Sequence, residues 1–91
     1  MELDELENRV VREAEKHSKC LTEGERGEIS DLIKHNESGV AYEMLCEQLY
    51  EHECQVTRED LNELREIGDF LNISHGAIAL WETELMAEKD N

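Results

Sequence analysis

No proline interrupts these 91 residues, and along most of them apolar side chains return every three or four positions. That spacing gives a helix one buried stripe, whereas a half-buried strand needs alternation together with β-branched and aromatic residues. Aromatics make up only 4% of the chain, and strand-and-turn punctuation is scarce. The expectation is an all-α fold: one compact domain of about five helices spanning residues 1–91. A chain of this length supports one modest core and leaves no room for a second.

Cap signals divide the chain. Leu3, Leu6, Val10, Ala14 and His17 form the inner stripe of a first helix over residues 3–18, which the acid-before-base pairs Glu5/Arg9 and Glu15/Lys19 would support. Thr22 followed by Glu25 is a capping-box pattern opening a second helix, with Ile29, Leu32 and Ile33 inward and Gly24 and Gly27 weakening its first turns. Ser38 is the expected N-cap of a third helix ending near His52. Thr57 caps a fourth, with Val56 and Leu61 as a hydrophobic staple and Leu61, Leu64, Ile67, Gly68 and Leu71 on its apolar face. Ser74 repeats the device for a fifth, with Ile73 and Ile78 as staple and Ala77, Ile78, Trp81 and Leu85 inward.

Charge narrows the function. The 24 acids against nine Lys and Arg leave a net charge of -15, more than solubility requires. The excess is concentrated late: fourteen acids face three bases after residue 35. Phosphate backbones and anionic membranes are bound through basic patches, so neither is expected as a direct ligand. A basic protein is the expected partner.

The stretch Asn36–Glu53 carries the clearest sign of such a role. At 100° per residue, Ala41, Met44, Leu45, Gln48 and Leu49 fall on one side and Glu43, Cys46, Glu47 and Tyr50 on the other. No Lys or Arg occurs between Lys34 and Arg58. Tyr50 among these acids has the composition of a binding hot spot, while Tyr42 sits at the border of the core face. A second stretch without Lys or Arg, residues 66–88, suggests that one negative field continues over consecutive helices.

Glu-x-Gly-hydrophobic-Ala at Glu37–Ala41, followed by Glu43, Leu45, Leu49 and Glu51, resembles the central motif of the MafI family of immunity proteins. Asp31-Leu32-Ile33 before it and Thr57-x-Glu59 after it extend the likeness from about Glu28 to Leu71. The chain departs at Asn36, where the family prefers Gly, and at Tyr50, where it prefers a polar residue. The resemblance implies a small acidic protein of the contact-dependent growth inhibition type, binding and neutralising a cognate secreted bacterial toxin. Nucleases gather cations to grip phosphates, so a ribonuclease is the preferred toxin, with an acidic helical surface covering its active site. The toxin-binding residues expected on this reading are Glu43, Glu47, Tyr50, Glu51, Glu53, Glu66 and Asp69.

The alternative reading is an acidic helical adaptor that binds a basic protein without inhibiting an enzyme. Enzymatic readings are weaker. Paired catalytic carboxylates need one buried member, and the acids all fall on polar faces except the borderline Glu84 and Glu88. Cys46, His52 and Cys54 are irregularly spaced for zinc, and His52 with Cys54 is a poor nucleophile pair. No catalytic, cofactor-binding or metal-binding residue is assigned. His17 is expected to be a hydrogen-bonded core residue, and Trp81 a core one. Three cysteines without CxxC spacing, no leader-like N-terminus and no long apolar run point to a cytoplasmic protein with reduced thiols.

Overall fold

A computed structural model of the chain describes residues 1–73, and among them every regular element is a helix: α1 (Leu3–Lys16), α2 (Glu23–Lys34), α3 (Ser38–Glu51) and α4 (Arg58–Leu71). The fifth expected helix, with Ser74, Ala77, Ile78, Trp81 and Leu85, lies outside the described residues. The helices α1 and α3 form a central pair, α2 packs against both from one side and α4 from the other, and α2 and α4 do not touch.

Each helix contributes most of its predicted stripe to one core, but Leu3, expected on the inner face of the first helix, is 50% exposed, because it is the first residue of α1 and lies beyond the reach of the other helices' apolar faces. Leu6, Val10 and Ala14 come from α1, Ile29 from α2, Ala41, Leu45 and Leu49 from α3, and Leu61, Leu64 and Ile67 from α4. Full burial of such a side chain stabilises the fold by roughly 1.5–3 kcal/mol. Leu32, Ile33 and Met44 are partly buried around this centre. Tyr42, at the border on sequence grounds, is buried, and its hydroxyl donates to the Leu64 carbonyl 2.8 Å away.

Two capping boxes open helices as the sequence indicates. The Thr22 hydroxyl accepts from the Glu25 amide while the Glu25 carboxylate accepts from the Thr22 amide; Thr57 and Asp60 repeat the exchange at α4. Val56 and Leu61 are both buried, as a staple requires. Ser38 does not cap α3. The N-cap is Glu37, without a side-chain bond, and Ser38 is turned into the interior, where its hydroxyl donates to Glu7 at 2.7 Å. A tertiary partner on α1 outcompetes the local amide.

Three helices end on a left-handed residue: Asn36 at φ 61°, Glu53 at φ 51° and Asn72 at φ 58°. At each, two amides reach back to the last turn, as with Glu53 N–H to Tyr50 and Cys54 N–H to Leu49, the Schellman pattern. The first helix stops earlier than expected, at Lys16, because the amides of His17 and Ser18 bond to Ala14 and Glu15 and tighten the chain.

Several expected pairings are replaced. Arg9 turns from Glu5 to Glu63 and Glu66 on α4, and Glu15 bonds Arg26 on α2 at 2.9 Å. Cys46, placed on the polar face by its angle alone, is buried. The expectation of three reduced thiols is overturned: Cys20 and Cys54 form a disulfide, with Cα atoms 5.9 Å apart, and only Cys46 is free. The bond ties the turn after α1 to the segment leading into α4. No helix among the described residues is long and apolar enough to cross a membrane.

Candidate functional site

The outward side of α3 is a single stripe. Val40, Glu43, Glu47, Tyr50 and Glu51 are all exposed, and at 100° per residue they fall within about 100° of arc. Val40, 49% exposed, and Tyr50, 37% exposed, stand at opposite ends, ten residues or about 15 Å apart along the axis. Glu43 and Glu47 lie between them, and Glu51 follows Tyr50 at the end of the helix. The helix supplies no basic residue in its last turn, so Glu51, with Glu47 one turn before it, stands at the negative end of the helix dipole. The stripe is acidic with an apolar side chain toward each end, which suits a partner that carries cations and a few apolar contacts. Val40 is the member that sequence reasoning missed, although the helical period already set it on the arc of Glu43 and Glu47.

The remaining expected contact residues divide. Glu53 is exposed in the left-handed turn just beyond α3. Asp69 is exposed on α4, and its charge helps to push the Tyr42 hydroxyl up, after burial and Cys46. Glu66 is exposed too, but it stands at the seam with α1, 3.3 Å from the Arg9 guanidinium. Arg9 also bonds Glu63 and holds that carboxyl below its ordinary value. The negative field expected over residues 66–88 therefore meets a cation from α1 at Glu66, and its later part lies outside the described residues.

No known family model, no curated protein and no solved structure matches this chain. The site is thus read from its own geometry.

A second feature lies inside the protein. Glu13 on α1 and His17, the residue that caps its C-terminal end, sit one turn apart within the arc of Leu6 and Val10, and Asp60 meets them from the first turn of α4. All three are buried, Asp60 to 1% exposure. Burial pushes the Asp60 carboxyl up, but donors from Lys16 and the Thr57 cap outweigh it and hold the group below its usual range. Burial, then the Asp60 charge, pushes Glu13 up to about 7. Burial also lowers His17, against the pull of Asp60. The expectation that buried acids would be confined to the last helix fails here. The signal was present: Glu13 and His17 share one face at i,i+4 among apolar residues, and Asp60 follows Thr57 at capping-box spacing. His17 is buried as expected, but its Nε2 has no hydrogen-bond partner among the described residues.

The zinc reading of Cys46, His52 and Cys54 finds no assembly. Cys54 is spent in the disulfide, Cys46 is buried, and the His52 ring bonds Glu25 on α2 at 2.7 Å. That bond is the larger cause holding the Glu25 carboxyl low, with the Thr22 amide second.

Proposed function

We propose that this chain is an immunity protein that binds and neutralises a cognate cationic toxin domain, a ribonuclease by preference, by laying the acidic stripe of α3 over its active site. The observation that carries the reading is that Glu43, Glu47 and Glu51 stand exposed on one line, with Val40 one turn before Glu43 and Tyr50 beside Glu51, and with no Lys or Arg between Lys34 and Arg58. A nuclease cleft gathers cations for phosphate, and a row of carboxylates can occupy it in place of the nucleic acid. The charges raise the encounter rate, and the two apolar side chains slow dissociation. The resemblance of Glu37–Glu51 to the MafI motif supports the same reading. It needs no cofactor and no catalytic residue.

The test is co-expression with the toxic C-terminal domain encoded by the neighbouring gene, scored by growth, RNA integrity and complex stoichiometry. Rescue with a one-to-one complex is the expected result. Binding without rescue would favour the adaptor reading, and neither binding nor rescue against an active toxin would sink the proposal. Within a rescuing pair, Glu43→Lys, Glu47→Lys and Glu51→Lys together should slow association by about 10-fold or more at low salt and flatten its salt dependence. An unchanged rate would place the interface elsewhere.

A further inference from the structure

We propose that Glu13, His17 and Asp60 form a binding site for one divalent transition-metal cation of the zinc class, bridging α1 and α4. The ligand atoms of the three side chains all lie within 4.8 Å of one another. His17 Nε2 is 3.7 Å from Glu13 Oε2 and 3.5 Å from Asp60 Oδ2. Those separations are long for hydrogen bonds. They are close to the distance of about 3.3 Å between neighbouring ligands around a tetrahedral ion with bonds of 2.0–2.2 Å. The two separations from His17 exceed that distance by only a few tenths of an ångström, and the third, between the Glu13 and Asp60 oxygens, is no more than 4.8 Å.

The second observation is independent of this spacing. Among the described residues Glu13 Oε2 and His17 Nε2 have no hydrogen-bond partner, and their side chains are 10% and 9% exposed. Buried polar atoms are almost always satisfied, because leaving one unpaired costs about 1–3 kcal/mol. Here the two orphans point at the same place, and Asp60 offers the third donor there. A shared cation satisfies all three groups at once.

The donor set selects the ion. One imidazole and two carboxylates suit zinc and its neighbours, while magnesium and calcium prefer all-oxygen shells. The surroundings orient the ligands. The Thr57 amide donates to Asp60 Oδ2, and Lys16 Nζ holds Oδ1 at 2.5 Å, which turns the carboxylate's other edge toward His17. Lys16 is about half exposed, so the site meets solvent beside it, and water can supply the open position. The positive charge of Lys16 opposes the ion, whereas Glu63 adds negative charge near Glu13. The Cys20–Cys54 disulfide brackets the site, three residues after His17 and three before Thr57.

The experiment is calorimetric titration of the chelator-stripped, disulfide-intact chain with zinc chloride, alongside long-range ¹H–¹⁵N spectra of its imidazoles. One ion per chain is expected, with the His17 Nε2 resonance moving and those of His35 and His52 unmoved. Altering a residue that merely supports a ligand typically weakens metal affinity 10–100-fold, so His17→Gln should weaken binding by at least about 100-fold. Glu13→Gln, which keeps shape and removes a ligand charge, should weaken it as well without loss of helical circular dichroism. His52→Gln should leave it unchanged. Absence of binding, zinc that moves only other histidines, or affinity untouched by both His17→Gln and Glu13→Gln would each overturn the proposal.

Discussion

The Tyr42 hydroxyl donates to the Leu64 carbonyl at 2.8 Å, inside the contact between α3 and α4. Leu64 is fully buried and Tyr42 nearly so, so water cannot replace the bond if the hydroxyl is removed. Tyr42→Phe should therefore destabilise the protein by about 1–2 kcal/mol, read as a lower urea midpoint. Burial, followed by the neighbouring Cys46 and the Asp69 charge, raises the pKa of this hydroxyl. The folded state thus holds a proton that the unfolded chain gives up near pH 10, and Tyr42 costs stability as pH rises beyond that point. Tyr42→Phe should leave the reversible tyrosinate absorbance change of the folded protein unaltered, because Tyr42 ionises only on unfolding. Loss of half that change would show Tyr42 to be accessible.

Glu13 sets a pH dependence of the opposite kind from an ion-paired acid. Burial, then the Asp60 charge, lifts it from 4.5 to about 7, against the attraction of Lys16. Between those values the folded chain binds more protons than the unfolded one, so its stability contribution is full below pH 4.5 and is lost as pH rises through about 7. With chelator present, Glu13→Gln should gain on the parent by up to about 2–3 kcal/mol across that window. Urea unfolding at several pH values measures it. A difference between the two proteins that did not change with pH would mean that Glu13 is ionised in the fold.

Glu53 occupies a backbone region that costs an L-residue roughly 1–2 kcal/mol, and its φ of 51° has no short amide side chain to ease it, unlike Asn36 and Asn72. Glycine removes the clash but gains freedom when unfolded. Glu53→Gly should still raise stability by about 0.5–1 kcal/mol. A drop in Tm would show that the turn relaxes away from the left-handed form. The same variant reports whether the Glu53 charge contributes to toxin association.

The disulfide joins residues 34 apart in sequence. Chain-entropy arguments give a closed loop of that size about 3–4 kcal/mol of stabilisation, drawn from the unfolded state. Unfolding with and without reductant should differ by about that amount, and Cys20→Ser with Cys54→Ser should reproduce the reduced protein. The remaining thiol, Cys46, is pushed up to about 12 by burial, despite the opposing Tyr42 hydroxyl. Mass spectrometry after iodoacetamide should find Cys46 unmodified in the native protein and modified in denaturant. Rapid native alkylation would mean that the α3 interior opens easily.

Much of this protein was legible without coordinates. Thr22 with Glu25, Thr57 with its staple of Val56 and Leu61, and the outward set Glu43, Glu47, Tyr50 and Glu51 follow from interactions that close within five residues or from the 3.6-residue period. Such relations depend on the helix alone, and the helix is set by composition and caps. What the sequence could not rank was competition between a local partner and a distant one. Ser38 leaves its cap position for Glu7, and Arg9 leaves Glu5 for Glu63 and Glu66. Cys46 sits at an angle that a free helix would expose, yet it is covered once α3 packs. The Cys20–Cys54 bond and the meeting of Glu13 and His17 with Asp60 required α1 and the start of α4 to be neighbours. Periodicity orients each helix about its own axis; only tertiary packing decides which faces meet, and so which buried charges share one space.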